Sequence, residues 1–167
     1  MEQRKLSNMF EEKGKKTYKI QEITPDPLYN SVVISKFINH VMRKGKKTTA
    51  RKVVYSAFEI VKEKTKANPV DIFEAAILNV SPSMEVRSKR VGGATYQVPM
   101  KVSKKRSMSL AMRWIMDSAR SKKGKPIHQK LAEEILGASN KEGEAIKKKD
   151  NMHRMAKANK AFAYLAK

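Results

Sequence analysis

The chain has 167 residues, enough for one domain with a real core, and sets 37 Lys and Arg against 16 Asp and Glu, a net charge of +21. Such a charge repels itself on folding and needs an anionic partner; nucleic acid leads over a membrane surface, because no apolar run approaches a spanning length. The absence of cysteine excludes a disulfide scaffold, a zinc knuckle and thiol catalysis.

Met1 to Thr24 is polar and lysine-rich and reads as a flexible basic tail that could order on a polyanion. It has no apolar core of a secretory signal, and Glu2, Glu11 and Glu12 make it a poor presequence. Residues 25–167 read as one helical RNA-binding domain that begins at Pro25-Asp26-Pro27. Asn30 or Ser31 can cap a first helix running to about Lys44, with Val33, Ile34, Phe37, Ile38 and Val41 on its apolar face and Gly45 as its stop. Thr48 or Thr49 caps a second helix to about Lys66, with Val53, Val54, Ala57, Phe58 and Val61 at core spacing. Asn68-Pro69 opens a third, carrying Ile72, Phe73, Ala76 and Ile77 and ending before Ser81-Pro82. Asn79-Val80-Ser81 matches a glycosylation sequon that, without secretion, is coincidental.

Met84–Ser103 alternates apolar and polar residues on both sides of Gly92-Gly93, which predicts a β-hairpin at about 84–103. A loop extended to Ala94 pairs Met84 with Val102, Val86 with Met100 and Arg90 with Tyr96, and sets Glu85 opposite Lys101, where opposite charges help slightly. That register is preferred to a two-residue loop, which sets Val86 opposite Pro99 and mixes apolar with charged residues. Pro99 must turn its amide side outward or sit at a bulge.

A fourth helix runs from Lys104–Ser107 to about Ser121, with Leu110, Ala111, Trp114 and Ile115 inward and Arg106, Arg113 and Arg120 on a second stripe. Pro126 opens a fifth, with Ile127, Leu131 and Ile135 inward, ending near Gly137–Asn140. After a Glu142-Gly143-Glu144 loop, a sixth runs from about Lys147 to Ala163, with Met152, Met155, Ala156, Asn159 and Phe162 on one side. The expected fold is mainly α: a single bundle of about six helices with a hairpin protruding between the third and fourth.

Candidate RNA contacts concentrate in basic connectors. They are Arg43, Lys46 and Lys47; Arg87, Lys89 and Arg90 beside Gly92 and Gly93; Lys101, Lys104, Lys105 and Arg106; Arg113 and Arg120; Lys122 and Lys123; and Lys147, Lys148 and Lys149 with Arg154. One such run is an ordinary solvated face, but several in one small domain with few acids point to phosphate binding. Arginine can fork onto a phosphate or stack on a base, whereas lysine is a mobile point charge. Tyr96 fits packing at the hairpin stem and stacking on RNA equally well. Trp114 is a core residue, and the ten methionines fill gaps in the core. No catalytic signal stands out. His40, His128 and His153 lack metal-ligand spacing, Gly45–Thr48 lacks the rest of a phosphate loop, and Glu133-Glu134 read as surface partners of Lys130, so no cofactor or metal is expected.

Residues 84–99, MEVRSKRVGGATYQVP, closely resemble the signature of the family of small-subunit ribosomal protein seven, bacterial type. Phe37-Ile38-Asn39 through Gly45-Lys46-Lys47, Leu110–Ile115 and His153–Ala163 are similar to further segments of it, and the resemblance spans about Pro25 to Tyr164. It implies a non-enzymatic, cytoplasmic constituent of the small ribosomal subunit. Such a protein binds the 3′ major domain of the small-subunit rRNA early and nucleates assembly of the head. The implied hairpin tip, Arg87–Tyr96, lies near exit-site tRNA and the mRNA exit path, and the implied protein neighbours are small-subunit proteins eleven and nine. Since some members repress their own mRNA, it also implies a candidate translational autoregulator. Two departures are visible: Tyr164-Leu165-Ala166-Lys167 replaces the family's aromatic-Arg-Trp end, and the N-terminal tail is about ten residues longer than usual. The rival readings are an architectural DNA-binding protein with a β-arm, disfavoured by a glycine tip without a wedge, and an RNA-modifying enzyme, disfavoured by the lack of an acid–base pair.

Overall fold

A computed structural model describes residues 23–166; the basic tail expected over residues 1–24 lies outside this range except for Ile23 and Thr24. Within it the chain forms α1 (Val32–Val41), α2 (Lys47–Thr65), α3 (Pro69–Val80), β1 (Met84–Val91), β2 (Ala94–Lys101), α4 (Lys104–Ser121), α5 (Ile127–Ser139), α6 (Glu144–Ala158) and a terminal 3-10 helix (Lys160–Ala166). The expected bundle with a hairpin between the third and fourth helices is what forms.

Helix α5 is the central rod. Its Leu131, Ala132, Ile135 and Ala138 are fully buried, and it packs on α2, α3 and α4. Three aromatic rings join α1, α2 and α3 beside it: Phe37 lies 4.7 Å from Phe73, and Phe73 lies 5.3 Å from Phe58. Burying each of these rings contributes about 1.5–3 kcal/mol. Tyr29 extends the cluster by packing edge-on to Phe58 at 5.4 Å. The chain before α1 is fastened by Asp26, whose buried carboxylate accepts the Leu28 and Tyr29 amides and the Tyr55 hydroxyl, the last at 2.8 Å. Trp114 is half-buried and packs against the core, as its neighbours implied.

Local signals set several boundaries and fail at others. Asn68 accepts the Val70 amide and Pro69 occupies the first turn of α3, as expected. Helix α1 stops at Val41 rather than near Lys44, and the turn that follows holds Lys44 and Gly45 at φ 50° and 73°. Helix α2 begins at Lys47 on an N-cap Lys46, so neither Thr48 nor Thr49 caps it. Helix α6 begins at Glu144, three residues earlier than expected, and ends at Ala158, so Asn159 and Phe162 lie beyond it. The cause of the early start is distant in sequence. The Glu134 carboxylate of α5 accepts the Ala145 amide at 2.9 Å, supplying a cap that no local residue provides.

The hairpin register differs from the expected one. Val86 faces Pro99, Glu85 faces Met100, Arg87 faces Val98 and Lys89 faces Tyr96, with a two-residue Gly92-Gly93 loop. Both glycines have positive φ, 57° and 88°, the primed turn whose twist matches that of the strands. The expected register assumed that apolar residues must meet apolar residues across the ladder. Here the mixed face is covered by the C-terminal segment: Tyr96 packs on Phe162 at 5.2 Å and Lys89 donates to the Leu165 carbonyl at 2.7 Å. Counting from the turn, the Val86–Pro99 pair is a non-hydrogen-bonded one, so the missing proline N–H costs the ladder nothing.

Candidate nucleic-acid interface

The hairpin stem is not a free arm. It lies against α6 and the terminal 3-10 helix, and its root is fixed at several points. The Ser83 amide donates to His153 Nε2 at 3.1 Å, the Val102 amide to the Ser83 carbonyl at 3.1 Å, and Ser107 Oγ to the Pro82 carbonyl at 2.8 Å. Arg90, Gly92 and Gly93 are exposed at the far end. Tyr96 is half-buried against Phe162, and the packing role describes its place in the stem.

Glu85 is the unexpected residue here. It is only 4% exposed, and two arginines hold it. Arg106 Nε donates to its Oε2 at 2.7 Å, and Arg87 Nε to its Oε1 at 2.5 Å. Lys104 and Lys105 stand exposed in the first turn of α4, next to this cluster in sequence, and Lys101 ends β2.

The second concentration of charge joins two connectors. A cleft of about 370 Å³ is lined by Arg43, Lys46 and Arg120 together with Val41, Met116 and Ile127, so the α1–α2 turn meets the end of α4. Arg43, Lys46 and Lys47 are exposed. Arg120 is different: Nη2 donates to the Val41 carbonyl at 3.0 Å, satisfying the C-terminal end of α1. Burial and the neighbouring Arg43 charge lower its pKa. The expected stripe of Arg106, Arg113 and Arg120 is therefore divided. Arg106 is tied to the hairpin and Arg120 to α1, while Arg113 remains exposed. Burial, followed by the Arg113 charge, lowers the pKa of His40.

The third group lies around α6. Lys122 reaches the buried Glu134 at 2.8 Å, while Lys123 stays exposed in the α4–α5 turn. Lys147 pairs with Glu144 at 2.7 Å on the surface. Lys149 donates to the Asn79 carbonyl at 2.7 Å and thereby closes the end of α3, and Lys148 is half-buried. Arg154 donates to Asn151 Oδ1 at 2.6 Å. Glu134, expected on the surface beside Lys130, is 1% exposed, because it caps α6 and neutralises Lys122. Asn79 also has a local task, donating to the Ala138 and Ser139 carbonyls at the end of α5.

Two kinds of cation thus emerge. Arg120, Lys122 and Lys149 hold the bundle together. Arg43, Lys46, Lys47, Arg90, Lys101, Lys104, Lys105, Arg113 and Lys123 are exposed, with no carboxylate within 4.0 Å among the described residues. The second kind is suited to phosphate, because no internal partner has to be displaced. Periodicity and charge runs could not separate the two kinds. The signal that could have helped is a lone acid such as Glu85, sitting within a basic and apolar stretch, where it demands a partner.

A helical bundle with a braced two-stranded ribbon, and with acids placed under cations, is the architecture of a basic scaffold protein. The chain belongs to the ribosomal protein S7p/S5e family: the family's model matches residues 11–160. The small ribosomal subunit protein uS7 of Thermotoga petrophila is 57% identical over 145 residues, covering 87% of this chain and 94% of its own length. That of Dictyoglomus thermophilum is 58% identical over 144 residues, covering 86% and 92%. That of Caldanaerobacter subterraneus is 54% identical over 144 residues, with the same coverage. The family is one of structural, non-enzymatic ribosomal proteins.

Proposed function

We propose that this protein is a structural constituent of the small ribosomal subunit that binds its rRNA through the exposed cations of the α1–α2 turn, the hairpin, the start of α4 and the α4–α5 turn. The observation that carries the reading is the family membership together with the cluster of exposed cations that lack internal carboxylates. These cations sit on turns and helix ends of a pre-folded bundle. Phosphate repulsion is relieved where several RNA helices converge, and little ordering is required on binding. Shape and phosphate position dominate recognition, with loops and bulges read locally.

In finer detail, the rRNA is the 3′ major domain, and early binding nucleates assembly of the head. The hairpin tip then faces exit-site tRNA and the mRNA exit path, with small-subunit proteins eleven and nine as neighbours. The working place is the cytoplasmic small subunit, and binding of the same surface to its own mRNA makes the chain a translational autoregulator. No described helix is long and apolar enough to cross a membrane.

The test is a salt titration of binding to a transcript of the 3′ major domain. If about six phosphates are contacted, the log–log slope is about −4 to −5. A slope near −1, or loss of the protein from small subunits in a high-salt wash that leaves their other head proteins in place, refutes the reading.

A further inference from the structure

Glu85 sits where an RNA-facing hairpin has least use for an acid. It lies between Met84 and Val86 at the root of β1, is 4% exposed, and carries its negative charge into a cluster whose purpose is to meet phosphate. Yet it is not lost in the interior. Its two oxygens are divided between two arginines from different elements, Arg87 on β1 at 2.5 Å and Arg106 on α4 at 2.7 Å. Both arginine side chains remain about half exposed, 51% and 47%, so the buried acid lies beneath two outward-reaching guanidiniums.

The donor inventory shows what is left over. A guanidinium has five N–H donors in a fixed plane. Arg106 binds Glu85 through Nε, which leaves both of its terminal nitrogens available. Arg87 engages Glu85 through Nε and Nη2, which leaves Nη1. One carboxylate between the two groups fixes their planes, overcomes their mutual repulsion and leaves the triad with a net single positive charge. The backbone beneath is also fixed, because Ser107 ties the first turn of α4 to Pro82.

We infer that Glu85 is a positioning residue that holds Arg87 and Arg106 as one preformed site for a phosphodiester oxyanion of the bound RNA. This rests on the proposed rRNA-binding reading and adds to it the residue that organises the site. An arginine free to rotate loses side-chain entropy when it meets phosphate; one already held loses less, and its forked geometry is kept for the ligand.

Positioning and charge counting differ in sign. Glu85→Gln removes one negative charge from a chain of net charge +21, so a purely Coulombic account predicts tighter RNA binding and a steeper salt slope. Positioning predicts the reverse: binding to the 3′ major domain transcript weakens about tenfold, as for loss of one arginine–phosphate contact. The cycle is completed with Arg87→Ala/Arg106→Ala, alone and combined with Glu85→Gln, each checked for cooperative unfolding. The expected result is that Glu85→Gln has no further effect once both arginines are gone. In parallel, nitrogen-15 spectra of the free protein should show slowly exchanging Nε–H signals for Arg87 and Arg106 that are lost in Glu85→Gln. Unchanged or tighter binding by Glu85→Gln overturns the proposal. So does an equal loss in the arginine-free background, since that would make Glu85 a support of the hairpin alone. A wild-type chain that does not bind the transcript overturns the rRNA reading itself, and this site with it.

Discussion

Replacing Glu134 by Ala tests how the bundle positions its last helix. The side chain is 1% exposed and makes two contacts, the Ala145 amide at 2.9 Å and the Lys122 ammonium at 2.8 Å. Without the carboxylate the buried Ala145 N–H has no acceptor, a loss of about 1–3 kcal/mol. The vacated volume adds about 1 kcal/mol. Lys122 is 33% exposed and can turn to water, so its lost pairing adds at most about 1 kcal/mol. Against these stands relief from burying a charge, which keeps the expected destabilisation near 2–3 kcal/mol. In urea this appears as a midpoint lowered by about 1 M at unchanged slope. Glu134→Gln should retain part of the loss, since its amide oxygen can still accept from Ala145 but its nitrogen faces Lys122. A destabilisation by Glu134→Ala of less than about 0.5 kcal/mol would refute the reasoning. It would show that Gly143, at φ 98°, sets the start of α6 without help from the carboxylate.

Three further outcomes are expected. Burial and the hydrogen bond to Asp26 push the Tyr55 phenol up to about 12 from its ordinary 10.0, so the folded state holds this proton more tightly. Its contribution is complete below pH 10.0 and is lost as pH rises toward about 12; the alkaline unfolding limb should be smaller in Tyr55→Phe than in wild type, the remainder including Tyr29, whose phenol is also raised by burial. Replacing Gly92 and Gly93 together by Ala places two side chains at positive φ and should destabilise the hairpin by about 1–2 kcal/mol each, read from amide exchange of the β1–β2 ladder. Arg90→Ala, at an exposed position, should leave the melting temperature unchanged and weaken binding to the 3′ major domain transcript by about 1–3 kcal/mol; a fall in melting temperature with unchanged binding would make Arg90 structural.

The fold was largely legible because its signals are local. Asn68-Pro69, Ser81-Pro82, Pro126 and the Gly92-Gly93 pair each act within a few residues of themselves, and the 3.6-residue apolar spacing needs no knowledge of neighbours. What was not legible depends on contacts between distant residues. The start of α6 is set by Glu134, and the end of α1 is completed by Arg120. The hairpin register went the other way because its mixed face is covered by Phe162 and Leu165, residues that periodicity had assigned elsewhere or not at all. The candidate site shows the same division. The clustering of basic residues was readable from charge, but a lysine that closes a helix and one that awaits a phosphate look alike in sequence; Lys149 and Lys123 differ only in what stands beside them.

The bracing of the hairpin by the terminal 3-10 helix has a mechanical consequence. A two-stranded ribbon alone is marginally stable and bends readily. Here it behaves as a cantilever with a strut, Phe162 and Leu165 bearing on Tyr96 and Lys89 well out from its root. The stiffness of the β-ribbon is thus governed by the segment from Lys160 to Ala166, and removing that segment should soften the ribbon while leaving every basic side chain on it in place.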